Sequence, residues 1–97
     1  MVTQQEAHDV EVAHGLTELK NNPLYVPTKL ALIMSEAAEA LEWHRQGKSE
    51  EIGHELADIM LRTMNLAEDL GIDLNACIEA KHKINMGRPF KHGNKLY

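Results

Sequence analysis

Seven acidic residues lie between residues 35 and 58, against only two basic ones. Four of these acids form two spaced pairs, Glu36-x-x-Glu39 and Glu55-x-x-Asp58. Side chains three residues apart project from one face of a helix, so each pair can converge on one ion. Carboxylate oxygens are ligands that Mg²⁺ and Mn²⁺ prefer. A solvated acidic surface is the simpler interpretation of either pair alone, but two matching pairs favour a metal site between neighbouring helices.

The C-terminal segment, residues 81–97, carries the opposite charge, with five basic residues and no acidic one. Lys81 and Asn85 share a predicted helix face that is otherwise apolar, and Arg88 follows at the turn. Polar groups on such a face need partners, which phosphate oxygens or a base edge would supply. We therefore expect Lys81, Asn85 and Arg88, with Lys95 in the tail, to bind substrate. The alternative is that Lys81 extends to solvent from the edge of the core, Asn85 helps to end the helix, and the basic tail is solvated.

Trp43 is the only tryptophan of the chain, and helical spacing puts it on the same face as the acids. A nucleobase could stack on its ring beside a metal-bound triphosphate. The ring could equally fill a dimer interface or cap the core, since tryptophan is enriched in both places.

Capping and stop signals predict four helices that would position these residues. Thr3-x-x-Glu6 is a capping box, Pro27 suits a first turn, and Ser49 and Asp73 suit N-caps. The predicted spans are about 3–20, 27–47, 49–70 and 73–87.

Apolar residues recur at helical spacing in three of these helices and predict the faces that form the core. They are Leu30, Met34, Ala37 and Leu41 in the second helix, Ile52, Leu56, Ile59, Thr63, Leu66 and Leu70 in the third, and Leu74, Cys77 and Ile78 in the fourth.

The 97 residues predict one domain, 1–97, with a small core and an all-α architecture. Such a thin bundle gains burial by self-association, so we expect a homodimer or homotetramer. The net charge of −5 argues against nonspecific nucleic-acid binding. Cys77 is alone and excludes an internal disulfide, and no signal-like or membrane-spanning run occurs. These features predict a cytoplasmic protein that binds no membrane.

Several separate stretches resemble the MazG-like, all-α nucleoside triphosphate pyrophosphohydrolases, in particular their short single-domain members. The resemblance covers roughly residues 28–95. The family pattern is Glu-Glu-x-x-Glu followed by Glu-x-x-Asp, and here Ser35 replaces the first Glu. The stretches that carry the resemblance are KLALIMSEAAEALEWHR, ELADIMLRTMNLAEDLGIDL, KHKINMGRP and HGNK.

The resemblance implies a four-helix MazG-like bundle and a Mg²⁺-dependent reaction, with Mn²⁺ as a possible substitute. The reaction would hydrolyse nucleoside or deoxynucleoside triphosphates to monophosphate and pyrophosphate, in nucleotide-pool house-cleaning. It also implies that one set of carboxylates is both catalytic and metal-binding, and that a basic segment contacts the substrate. The matching positions are Glu36, Glu39, Glu55 and Asp58 for the metal, and Lys81, Asn85 and Arg88 for the substrate.

Two other functions are compatible with the residues. Glu11-x-x-His14 and Glu51-x-x-His54 have the spacing found in di-iron carboxylate bundles. Alternatively, a non-catalytic helical module would bind nucleotide or a partner protein without turnover, and Ser35 leaves that possibility open.

Overall fold

The computed structural model of the chain describes residues 1–17 and 19–89. Within these ranges there is no strand, and the all-α prediction is confirmed. No helix in this part is long and apolar enough to cross a bilayer. The helices are α1 (Gln4–Ala13), α2 (Tyr25–Arg45), α3 (Ser49–Asp69) and α4 (Leu74–Met86).

Helices α2 and α3 pack against each other as an antiparallel hairpin, and α1 packs on α3. The turn between α2 and α3 depends on Gly47, whose φ of 71° lies in the left-handed region. Gly47 donates its N–H to the His44 carbonyl at 3.1 Å, and Lys48 donates to the Trp43 carbonyl at 3.0 Å. These bonds satisfy the last carbonyls of α2 and confirm the predicted stop. The short turn keeps the acidic segments of α2 and α3 side by side.

Two of the predicted caps are confirmed by hydrogen bonds. Thr3 Oγ1 accepts from the Glu6 N–H at 3.1 Å, while Glu6 Oε1 accepts from the Thr3 N–H at 3.0 Å. Asp73 accepts from the Ala76 N–H at 3.0 Å and begins α4. Both caps satisfy backbone donors that a helix start leaves without partners.

The predicted end of the first helix near Lys20 is wrong, because α1 ends at Ala13. Gly15 has a φ of 71°, and Leu16 donates its N–H back to the Glu11 carbonyl at 2.9 Å. This glycine-centred C-cap stops the helix earlier than its apolar pattern indicates.

The starts of α2 and α3 also differ from the predicted ones. α2 begins at Tyr25, so Pro27 lies within its first turn, where a missing N–H costs no helical hydrogen bond. Ser49 is the first residue of α3 and not its cap. The N-cap is Lys48, which makes no side-chain capping bond.

The prediction that the apolar stripe of α2 faces the core is wrong. All four residues of the stripe are exposed, and Met34 is 71 % exposed. They are Leu30, Met34, Ala37 and Leu41. The face of α2 that contributes buried and half-buried side chains carries Tyr25, Glu36 and Trp43, which lie within about 20° of one another around the helix. The stripe predicted for α3 is buried or half-buried except at Leu56 and Leu70.

The core that joins the helices contains buried polar groups beside a few apolar ones. Tyr25 donates its hydroxyl to Asp69 Oδ2 at 2.6 Å, and His8 Nε2 lies 2.9 Å from Asp69 Oδ1. Burial and the neighbouring Asp69 raise the pKa of Tyr25, so its hydroxyl stays a donor. This contact ties α1, α2 and α3 together beside Asn65, which is 1 % exposed. The buried apolar residues are Ala7, Tyr25, Met64, Leu66 and Ala67.

Helix α4 contributes no buried residue, so the prediction of a buried face on it is wrong. Cys77 is exposed and is not a core residue. Gln4 anchors the start of α4 by accepting from the Leu74 N–H at 3.2 Å and donating to the Ile72 carbonyl at 2.6 Å. Leu74 and Ile78 line a cavity with Met60 and Met64, which places the first half of α4 beside the second half of α3.

Candidate metal centre

Three carboxylates from the two hairpin helices converge on one point. Glu36 and Glu39 come from α2 and Glu55 from α3, and one oxygen of each lies within 4.8 Å of the others. The three-residue spacing in α2 aligns the first two, and the antiparallel turn brings the third across to them. We call Glu36, Glu39 and Glu55 the acid cluster. Their convergence is the arrangement that the spaced pairs predict.

Asp58, the fourth predicted ligand, is not in this group of converging oxygens. It is exposed and lines a cavity of about 520 Å³ between α1 and α3, together with Glu6, Glu11 and Arg62. Its role as a metal ligand stays a prediction.

Two side chains donate hydrogen bonds to the acid cluster. Trp43 donates its indole N–H to Glu55 Oε1 at 3.2 Å. Arg62 donates from Nε to Glu36 Oε1 at the same distance, across the hairpin from α3 to α2. The other Glu55 oxygen, Oε2, is buried and has no donor among the side chains described. A buried acceptor without a donor is costly, so this oxygen needs a cation or the proton of a neighbouring carboxyl group as its partner.

The pKa of Glu36 depends on burial and on the charged groups around it, since the residue is only 8 % exposed. Glu55, with which a protonated Glu36 can share a hydrogen bond, raises the pKa of Glu36, and burial adds to the increase. Arg62 opposes both effects but does not cancel them. Three carboxylates with a buried free oxygen fit a small divalent cation that prefers oxygen ligands, such as Mg²⁺ or Mn²⁺.

Trp43 lies beside the acid cluster and is half-buried. The ammonium group of Lys48 lies 5.3 Å from the centre of its ring, close enough for a cation–π contact. A base that stacked on this ring would therefore meet Lys48 as well. Base stacking on Trp43 stays a prediction.

The predicted substrate-binding residues lie on and just after α4. Lys81 and Asn85 are exposed on the helix, and Arg88 is exposed beyond its end. Neither Lys81 nor Arg88 forms an ion pair with another residue in 1–17 or 19–89. Lys95 lies outside the described residues.

The spacing that suggested a di-iron protein does not build a mixed site. His54 Nδ1 lies 3.6 Å from Glu51 Oε2 on the surface, where the His54 side chain is 80 % exposed. His14 is the exposed C-cap of α1. Among the described residues, the acid cluster contains no histidine, so its chemistry is that of carboxylates alone.

The comparison with known families agrees with this geometry. A model of the MazG-like family matches residues 29–96, which span most of α2 and all of α3 and α4. The chain belongs to the MazG-like family. The match includes the whole acid cluster of this MazG-like chain and leaves α1 outside. No curated protein and no solved structure gives a significant match.

Sequence reasoning missed two basic residues at the MazG-like site, Arg62 and Lys48. Arg62 lies four residues after Asp58, so it shares a face of α3 with that acid. A single basic residue next to paired acids is a sequence signal that could have identified Arg62. The signal does not identify the partner of Arg62, because Glu36 lies 26 positions earlier on another helix. Lys48 could have been noticed from its position five residues after Trp43, in the turn.

We predict that Glu36→Gln stabilises the metal-free protein at neutral pH. Because the pKa of Glu36 is raised on folding, its ionisation disfavours the folded state as pH rises above the ordinary value of 4.5. The gain from glutamine should thus grow from pH 4.5 to pH 7 and vanish at lower pH. Urea unfolding in EDTA across this range measures it. Glu42→Gln, an exposed change on the same helix, is the control, and a Glu36→Gln variant less stable than wild type at pH 7 would contradict the account.

Proposed function

We propose that this chain is a divalent-metal-dependent nucleoside triphosphate pyrophosphohydrolase. It would convert nucleoside or deoxynucleoside triphosphates to monophosphate and pyrophosphate. The observation that carries the proposal is the convergence of Glu36, Glu39 and Glu55 within 4.8 Å, in a chain of the MazG-like family.

The acid cluster would hold the metal, with Asp58 as a fourth ligand after a change in its side-chain position. When bound, Mg²⁺, or Mn²⁺ in its place, supplies charge neutralisation for the phosphates and a water of lowered pKa. The chain's own part is to bring the carboxylates together and to keep Glu55 oriented through the Trp43 hydrogen bond. Such fixed outer contacts tune the geometry of a metal ligand.

The basic face of α4 would supply the cations that bind the phosphates of a substrate held at the acid cluster. Ile78 lines a cavity with Met60 on α3, and the same face of α4 continues one and two turns further to Lys81 and Asn85. Arg88 follows directly, Lys95 would add charge from the tail, and Trp43 would stack the base. This arrangement gives both ends of a nucleotide a partner.

In the proposed reaction, a water oxygen forms a bond to the α-phosphorus as the bond from that phosphorus to the α–β bridging oxygen breaks, and the water releases a proton to solvent. Pyrophosphate leaves with the bridging oxygen and the electron pair of the broken bond. Lys81 and Arg88 would offset the negative charge that grows on the leaving group, which is where fixed cations contribute most to catalysis.

We propose that the chain works as a homo-oligomer, because its apolar α2 stripe is exposed in the single chain. Leu30, Met34 and Leu41 are each at least 49 % exposed, and Leu56 of α3 is also exposed. Exposed apolar surface of this kind is typical of regions where protein chains associate. A protein that sediments as a monomer at assay concentrations would contradict the proposal.

The negative net charge and the nucleotide chemistry suggest a role in the nucleotide pool of the cytoplasm, without membrane or nucleic-acid partners. Removal of unwanted triphosphates before their incorporation is the house-cleaning role that the proposed reaction would serve.

We predict that Glu39→Gln lowers turnover at least about 100-fold, because it removes one charged ligand from a cluster of three. A panel of nucleoside triphosphates with Mg²⁺, analysed by ion-exchange chromatography for monophosphate and pyrophosphate, measures the rate. Glu42→Gln is the matched control. It removes the same charge from an exposed position three residues along α2 that is not in the acid cluster.

Equal rates for wild type and Glu39→Gln at saturating Mg²⁺ would exclude the acid cluster as the active site. Nucleotide binding by the wild type without any turnover would instead favour the non-catalytic module.

We predict that Lys81→Ala and Arg88→Ala each lower kcat/KM by about tenfold or more, while Mn²⁺ affinity stays within about twofold of wild type. The reason is that both cations would contact the phosphates and not the metal ligands. Lys83→Ala is the control, since Lys83 is an exposed basic residue of the same helix. Unchanged kcat/KM in both variants would show that the basic segment is solvated and that the phosphates bind elsewhere.

A further inference from the structure

We propose that Arg62 is an exchangeable counter-cation of the acid cluster. Its guanidinium holds Glu36 while the metal is absent, and it transfers to Glu11 of α1 when the metal takes Glu36. This inference rests on the metal site of the proposed function.

The contact between Arg62 and Glu36 is well placed for exchange. The Glu36 side chain is 10 % exposed and the Arg62 side chain 32 %, so the arginine lies at the edge of the site and can move. A single bond of 3.2 Å from Nε holds the pair, in contrast to the stronger two-pronged contact that arginine can make. In the described ranges it is the one ion pair that joins a basic residue to the acid cluster.

Charge makes simultaneous binding of arginine and metal at Glu36 unfavourable. The guanidinium cannot lose its proton in a protein, so it stays positive next to the cluster. A divalent ion on the same carboxylate would repel it at a distance of a few ångströms. Arg62 therefore competes with the metal for the Glu36 carboxylate.

The other side of Arg62 offers a second acceptor. Arg62 lines the cavity of about 520 Å³ with Asp58 and Glu11. Glu11 Oε2 is buried and has no donor among the described side chains, so it is an acceptor that Arg62 could satisfy. Asp58 is the nearer residue along α3, but it is needed at the metal if it becomes the fourth ligand. We therefore assign the metal-bound position of Arg62 to Glu11.

Mn²⁺ binding to the purified protein, measured by isothermal titration calorimetry without nucleotide, tests the exchange. Arg62→Gln removes the competitor, so we expect Mn²⁺ to bind about three- to tenfold more tightly than to wild type. Arg62→Lys keeps the charge and should stay within about twofold of wild type. Arg45→Gln is the matched control. It removes the same charge from an exposed pair with Glu42 on α2, and should leave the affinity unchanged.

Glu11→Gln tests the second position. It should weaken Mn²⁺ binding about two- to threefold, because the released guanidinium loses its partner, and it should have no such effect when combined with Arg62→Gln.

An Arg62→Gln variant with unchanged or weaker Mn²⁺ affinity would overturn the proposal and show that the ion pair is only structural. If that variant does not fold, unchanged Mn²⁺ affinity in Glu11→Gln overturns it instead. Either result, with Mg²⁺-dependent turnover intact in wild type, leaves the proposed function standing. A wild-type protein that neither binds Mn²⁺ nor turns over triphosphate would overturn both.

Discussion

The repulsion among three carboxylates held between α2 and α3 is the constraint on which the rest of the structure depends. Like charges this close raise the free energy of the folded state unless a cation or a proton offsets them. In the single chain the offset comes from Arg62 on Glu36 and from the Trp43 N–H on Glu55. The remaining crowding raises the pKa of Glu36. This repulsion pushes α2 and α3 apart, so contacts elsewhere in the hairpin must hold the two helices together.

Those contacts lie at the two ends of the hairpin. At one end, the Gly47 turn joins α2 to α3. At the other, Tyr25 and His8 bind Asp69, about 16 Å along α2 from Glu36 by the rise of a helix. The face that α2 turns toward α3 thus combines these polar groups with half-buried apolar side chains such as Leu32 and Ala40. Leu30, Met34 and Leu41 lie on the opposite face of α2 and are exposed.

Local features of the fold could be predicted from the sequence because their partners lie within a few residues. The Thr3–Glu6 capping box, the Asp73 cap and the stop at Gly47 are of this kind. The early end of α1 was missed because its apolar residues continue past Gly15. The core face of α2 was misassigned because periodicity finds apolar residues whether or not they are buried within the chain.

In the candidate site, too, contacts between residues close in sequence could be predicted, and contacts that depend on the folded arrangement could not. Spacing alone predicted that Glu36 and Glu39 share a face, and the expectation of a metal site between neighbouring helices added Glu55. Spacing could not show that Asp58 points to the neighbouring cavity, since a side chain's direction depends on the residues packed around it. The contact of Arg62 with Glu36 could not be predicted for a related reason, because it exists only once α2 and α3 have folded together.

The most direct test of the account is equilibrium dialysis of Mn²⁺ against the folded wild-type protein and against a variant with Glu36, Glu39 and Glu55 all changed to glutamine. The account predicts saturable Mn²⁺ binding by the wild type and none by the variant, whose circular dichroism should remain helical because the change removes repulsion. Equal Mn²⁺ binding by the two folded proteins would contradict the claim that the acid cluster is the metal site.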